Sequence, residues 1–426
     1  MEIYVVQQGD TIQSIADRFG VSVEKLIQDN GLTAPDQLVV GQSIVIAYPQ
    51  QNYMVKEGDT LVDIATSYNI SVIQLLANNP YLSERDYIYP GDIIVISYNW
   101  KGTITTHGNT VPYINKAILR KTLPNLTYLS VLNYTATSQG GIVSYYDDTE
   151  IIQVAKDYGV APLMLVTTLS ITGTANVGVA YELLLNEKYQ NLEIDNILNI
   201  LKSKGYYGVN FSFEYINVSN MYLYEAFFAK ITSRINTEGY QVFLTINPNI
   251  SIVNNEVTFE RVDYSTLNQL ANNLIFTSYE WSARLTPPSP ISSYYEVNTF
   301  LLDVLNYIPS EKVIIGVATI GYDWELPYVA GASNTYNMTL DRANDLARNV
   351  GAVISFDEIS QTPFFIYTGR ENIEHVVWFV NSRSINATLD LVSKYNLRGI
   401  SVWNINVYTP QLWLIINSQY QIEKVL

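Results

Sequence analysis

Three polar side chains alternate within an otherwise apolar run, and their types and spacing could do chemistry. Residues 205–217 read GYYGVNFSFEYIN, with Asn210, Ser212 and Glu214 at every second position. A strand projects successive side chains to opposite faces. These three therefore share one face, while Val209, Phe211 and Phe213 share the other. Glu214 is the one carboxylate in the run. A carboxyl held among aromatic groups and partly out of water has its charged form disfavoured and its pKa raised. It then keeps its proton close to neutrality and can pass it to a leaving group.

Other chemistries have little to draw on. The 426 residues contain no Cys and two His, His107 and His375. Disulfides, thiol catalysis and Cys-based metal sites are excluded. The two His form no H-x-x-x-H pair, which argues against a zinc or Ser–His–Asp enzyme. No G-x-G-x-x-G follows any strand-like run, so nothing points to a nucleotide. No metal or cofactor is expected. His107 ends a strand-like run and reads either as a cleft-lining residue or as a hydrogen-bonded core histidine.

The elements that would hold Glu214 repeat along the chain. Strand-like runs near 103–107, 126–134, 162–170, 208–216, 240–248, 274–281, 312–322 and 399–405 alternate with helical patterns. The helices are expected at 111–123, 149–158, 193–203, 221–235, 294–306 and 410–419. Eight strands with helices between them predict an α/β fold, a closed (β/α)8 TIM barrel; a doubly wound open sheet is the alternative. In a barrel, functional residues sit at the C-terminal ends of the strands, which is where Glu214 falls on the fourth. The long segment at about 323–398 predicts a small α+β insertion between strands 7 and 8.

The first hundred residues have a different texture. IYVVQQGDTIQSIADRFGVSVEKLIQDN at 3–30 returns as NYMVKEGDTLVDIATSYNISVIQLLANN at 52–79. Each unit reads strand, helix, helix, strand, and the Asp-Thr pair is a good helix cap. The units resemble the LysM module, a βααβ domain that binds glycans containing N-acetylglucosamine. The predicted domains are 1–48, 52–98 and 99–426. The resemblance implies sugar contacts from Gly9, Asp10, Thr11, Ile12 and Asn30 in the first unit, and from Gly58, Asp59, Thr60, Leu61 and Asn79 in the second.

A second resemblance covers the barrel. Tyr207, Asn210, Ser212 and Glu214 occupy the four positions of the D-x-x-D-x-D-x-E motif of glycoside hydrolase family 18, the chitinases and related glucosaminidases. FTSYEW at 276–281 resembles that family's sixth-strand M-T-Y-D-W, and GISVWNI places Trp403 where the family has a Trp under the reactive sugar. GYDWELPY and HVVWFVNSRS look like the two-LysM, spore cortex-lytic subgroup. The resemblance implies an N-acetylglucosaminidase in which Glu214 is the acid and the substrate's own acetamido oxygen attacks the anomeric carbon. Tyr279 would hold that oxygen. Position 212 would orient the acetamido N–H, with Glu280 as a second group in reach. Trp403 would form the floor. From the residues themselves, Trp281, Tyr322 and Asp323 read either as substrate contacts, since aromatic faces stack on pyranose rings, or as core packing. Ser212 carries no charge where the motif has Asp. That keeps open a catalytically weakened or inactive glycan-binding protein of the spore or cell wall.

Charge narrows the partners. The net charge is −16, and residues 1–97 hold twelve acids against four bases. Such a surface repels nucleic acid and anionic lipid. The expected partner is a peptidoglycan or chitin-like glycan containing N-acetylglucosamine, met by a monomer without membrane contact. The N-terminus shows no signal-peptide pattern, and kinship implies spore association, in coat or cortex.

Overall fold

The computed structural model describes residues 1–85, 87–168, 177–212, 219–254, 256–277 and 286–426. Eight parallel strands close on themselves: β1 (Thr103–Thr110), β2 (Tyr128–Ala136), β3 (Ala161–Thr167), β4 (Gly208–Ser212), β5 (Gln241–Ile246), β6 (Asn273–Phe276), β7 (Val313–Ala318) and β8 (Gly399–Trp403). Each pairs with the next, and β8 pairs back to β1 through Gly399–Thr105 and Val402–Gly108. The barrel is the fold expected from the alternation, and the open sheet is not formed. Strands covered on both faces need apolar residues throughout. β3, APLMLVT, is buried at all seven positions.

Helices follow the strands: α1 (Lys116–Thr122), α2 (Thr149–Asp157), α3 (Glu187–Lys204), α4 (Met221–Thr237), α5 (Tyr264–Leu270), α6 (Tyr294–Val304), α7 (Ser382–Tyr395) and α8 (Pro410–Asn417). The outward residues of β4 pack on them as the alternation requires. Phe211 meets Phe227 and Phe228 of α4 at ring-centroid distances of 6.3 and 5.7 Å. Inside, the N-terminal end of the barrel is filled by Tyr128, Leu163, Phe243, Ile275 and Ile314. The C-terminal tail seals that end. Gln421 and Ile422 pair with Thr103 and Ile104, Glu423 bonds Thr105, and Lys424 donates to the carbonyls of Leu126 and Leu123 at 2.6 and 3.2 Å.

Between β7 and α7 lies a five-stranded antiparallel sheet built from Ile320–Leu326, Thr335–Thr339, Ser355–Asp357, Thr362–Thr368 and Glu374–Phe379, with one helix, Leu340–Val350. The run read as one strand at 312–322 is two. The chain leaves the barrel after Ala318, and Ile320 opens the antiparallel sheet. The segment read as insertion also ran too far, because α7 returns to the barrel and packs on α6, α8 and β8.

The two N-terminal units are βααβ modules. In the first, Glu2–Val5 pairs with Ser43–Ile46 around helices Ile12–Phe19 and Val23–Asn30. In the second, Gln51–Met54 pairs with Ile93–Ser97 around Leu61–Ser67 and Val72–Asn78. Thr11 caps its helix by accepting from the Ser14 N–H, within a capping box, and Thr60 accepts from the Asp63 N–H. Modules of this size bury too little apolar surface to be stable by a wide margin, and here both lean on the barrel. Helix α8 is the wedge. Gln411 donates to Asn30 and to the Ser43 carbonyl, both at 2.9 Å, and Asn417 donates to the Ala77 carbonyl at 2.8 Å. The insertion holds the first module from its other side. The Ile354 N–H donates to the Val40 carbonyl at 2.9 Å, Arg348 donates to the Gln37 carbonyl at 2.8 Å, and Val39 is buried against Leu340 and Phe365. Gly41 has φ +88°, and a Cβ there would lie 1.9 Å from the Ile354 carbonyl oxygen. No helix among the described residues is long and apolar enough to cross a membrane.

Candidate active site

The interior face of β4 carries Asn210 and then Ser212 toward the C-terminal mouth, the side predicted by alternation. Asn210 is fully buried. Its Nδ2 donates to Ser130 Oγ on β2 at 3.1 Å, and its Oδ1 accepts from the Thr245 hydroxyl on β5 at 2.9 Å. Ser130 is in turn 2.7 Å from His107 Nε2, and His107 Nδ1 is 2.8 Å from Ser401 Oγ on β8. Asn109 donates to Ser401 Oγ at 3.4 Å. A chain of polar side chains thus crosses the barrel from β5 through β4, β2 and β1 to β8, one layer beneath the mouth. Burial pushes the His107 imidazole down to about 3, so it is neutral at ordinary pH and each ring nitrogen has one hydroxyl partner. His107 is the hydrogen-bonded core histidine of the two readings above. Ser130, Thr245 and Ser401 were missed in the sequence; their signal is a lone hydroxyl at an inward position of an apolar strand.

Above this layer, Ser212 ends β4 half-buried, in register with Thr167 of β3. Trp403 ends β8 half-buried, level with Ala318 of β7, and the peptide that follows it is cis. The mouth therefore brings together Ser212 and Trp403, with Asn210 one layer beneath them. Glu214, Tyr279, Glu280 and Trp281 lie outside the described residues. Tyr207 precedes β4 at the opposite end, where its ring lies 6.0 Å from that of Tyr128.

Three expected sugar contacts need correction. Asn30 and Asn79 are turned inward, with exposures of 3 % and 2 %. Asn30 donates to the carbonyls of Leu26 and Val45 and accepts from the Val45 N–H at 2.7 Å. Asn79 repeats this with Leu75 and Val95. Each ties the end of the second helix to the closing strand, leaving nothing for a ligand. Asp323, 5 % exposed, lies on the insertion face opposite Tyr322. There it accepts from the Tyr367 hydroxyl at 2.7 Å and lies 2.9 Å from His375 Nδ1. It organises the sheet. Tyr322 is half-buried on the other face, 5.6 Å from Trp324.

The remaining LysM positions divide by atom. Asp10 accepts from the Tyr4 hydroxyl at 2.6 Å and from the Gln7 N–H at 2.7 Å. Asp59 does the same with Tyr53 and Lys56. Both side chains shape the turn. Ile12 is a further correction among the expected sugar contacts, since it is buried in its module's core, whereas Leu61 packs only partly buried against its own. Gly9 and Gly58, at φ +89° and +88°, stand in open space, so the loop backbones stay accessible.

Comparison with known proteins matches this architecture. Residues 98–407 fit the family model for glycosyl hydrolases family 18, and residues 4–47 and 53–97 each fit the LysM domain. The chain is 32 % identical to the cortical fragment-lytic enzyme of Bacillus subtilis, over 100 % of this chain and 99 % of that one. It is 29 % identical to the enzyme of the same name from Bacillus anthracis, with the same coverage. The crystal structure of the Bacillus megaterium spore cortex-lytic enzyme SleL superposes with a TM-score of 0.81 at 30 % identity, covering 100 % of this chain and 99 % of that one. The barrel, its inward polar strand four and the two N-terminal modules thus have one common explanation: the chain belongs to glycosyl hydrolase family 18 and carries two LysM domains.

Proposed function

We propose that the protein is a spore cortex-lytic N-acetylglucosaminidase that cleaves peptidoglycan with retention of configuration, held to its substrate by its LysM modules. The observation that carries this reading is the match to family 18 across the barrel, together with Asn210 and Ser212 on the inward face of β4. In the sequence, Glu214 stands two residues beyond Ser212. In this reading Glu214 protonates the glycosidic oxygen as the substrate's acetamido oxygen forms a bond to the anomeric carbon. The departing sugar leaves with the proton, and an oxazolinium ion remains. Glu214, now a carboxylate, takes a proton from water as that water opens the ion. Most retaining glycosidases use a second carboxylate as nucleophile; here the substrate supplies it, so one protein acid suffices.

Tyr279 holds the acetamido group and Trp403 gives the sugar an apolar floor. The sugar at the cleavage point must carry an N-acetyl group. Many muramic residues of spore cortex are lactams without one, so the reactive sugar is N-acetylglucosamine. Gly9, Thr11, Gly58, Thr60 and Leu61, with the turns shaped by Asp10 and Asp59, present the LysM loops to glycan. The protein acts as a monomer, associated with the spore and without affinity for nucleic acid. An inactive binding protein rests on Ser212 alone and has no second observation behind it. The test is the appearance of new reducing ends when cortex fragments meet the native chain, set against Glu214→Gln. Activity that persists in the variant, or cortex that is bound and never cut, defeats the proposal.

A further inference from the structure

A large cavity bounded by described residues lies away from the barrel mouth. About 710 Å³ in volume, it is enclosed by three separate parts of the chain: the outer side of the second helix of the first module, the loop after the second helix of the second module, and the barrel around Lys121 and Tyr408. That volume is in the range of small-ligand sites. It exists only because α8 holds both modules against the barrel.

Its walls have a definite chemistry. Three ion pairs line it: Lys25–Asp29 at 2.6 Å, Arg85–Asp92 at 3.2 Å and Lys121–Glu84 at 2.7 Å. Two of the cations also cover aromatic faces, Arg85 at 5.1 Å from the Tyr81 ring and Lys121 at 4.6 Å from Tyr408. The pairs are partly exposed, and such pairs contribute little to stability, so a ligand group can take the place of either member at small cost. Glu24 adds a fourth acid. A polyanion would meet more acids than bases here. A ligand bearing both carboxylate and ammonium groups would find a partner for each.

We propose that this cleft receives the peptide stem of a peptidoglycan strand whose sugars lie on the second LysM module. Pro80 and Tyr81, from the loop that the LysM resemblance assigns to glycan, form one wall of the cleft, which brings sugar and peptide together. The proposal rests on the peptidoglycan reading above, and binding can be measured apart from hydrolysis.

Two probes are compared by calorimetry with the Glu214→Gln chain: an N-acetylglucosamine hexamer, and a peptidoglycan fragment of equal length that retains its peptide stems. The expected result is at least about fivefold tighter binding of the peptide-bearing fragment. The double variant Lys25→Ala/Arg85→Ala should lose that preference, bind the hexamer as before, and keep the melting temperature of its parent. Equal affinity for the two probes, or a preference that survives the double substitution, overturns the proposal. Reducing-end release by the otherwise native chain tests the hydrolase reading independently.

Discussion

The Oδ1 of Asn30, in the first LysM module, accepts the side-chain amide of Gln411 at 2.9 Å, across 381 residues of sequence. Both residues are almost fully buried, and the same amide also serves the Ser43 carbonyl. A side chain that usually marks a helix end thus becomes a joint between domains. Gln411→Leu removes two buried hydrogen bonds and leaves a carbonyl without its donor, which costs about 1–3 kcal/mol for the unpaired group. The loss should appear in the first module. Hydrogen exchange is expected to speed up over residues 23–46 while the strands of the barrel keep their protection. Uniform exchange across the whole chain would mean that the joint is not local.

Glu193 on α3 has no exposed surface, and neither of its carboxylate oxygens has a hydrogen-bond partner. Burial pushes its pKa up to about 8 from an ordinary 4.5. As pH rises through 4.5 the unfolded chain releases this proton while the folded chain keeps it. Stability is therefore lost progressively between about pH 4.5 and 8, and the penalty is complete above that. A shift of this size corresponds to about 5 kcal/mol. Glu193→Gln should match the native protein in thermal melts at pH 5 and exceed it increasingly toward pH 9. A difference that does not change with pH would contradict this account.

In the mechanism proposed above, Ser212 places a neutral hydroxyl where a carboxylate would stabilise the positive charge that develops on the ring-closed intermediate. One well-placed electrostatic partner is worth roughly 10²–10³ in rate. Ser212→Asp is expected to raise kcat on cortex fragments at least about tenfold with little change in KM, measured by reducing-end release. A fall in kcat would show that another group already supplies the charge.

Asn210 links β2 and β5 through one amide. Asn210→Ala leaves the Thr245 hydroxyl without its acceptor inside the barrel and opens a gap beside Ser130. We expect a loss of about 2–3 kcal/mol in denaturant unfolding and a lower kcat, since the residues that follow on β4 lose their support. An unchanged unfolding midpoint would show that water fills the gap at no cost.

Much of this could be read in the sequence because it is periodic. The 49-residue repeat, the alternation of strands and helices, and the inward set Asn210–Ser212 are local patterns, and each appears in the fold as expected. The failures have a common physical origin. Asn30 and Asn79 end their helices with the same chemistry whether they face a sugar or a strand backbone, and only burial tells the two apart. Asp323 follows Tyr322 in a motif that suggests a groove, yet the pleat sends it to the far face, toward His375 and Tyr367. The polar layer from Thr245 to Ser401 joins five strands, none of which carries more than one or two of its members. Burial and contact between distant segments are tertiary properties, and periodicity does not encode them.

The position of β1 between β8 and the tail strand Gln421–Ile422 bears on how the chain is born. The LysM modules are made before the barrel, yet the helix that clasps them is made after its eighth strand. At roughly 5–20 residues per second, Asn30 waits about 20–80 s for Gln411. Until β8 is made, β1 has β2 as its barrel neighbour and its other edge is open. The hoop therefore closes only once β8 has been made, and an open strand edge of this kind is a template for pairing with another chain until then.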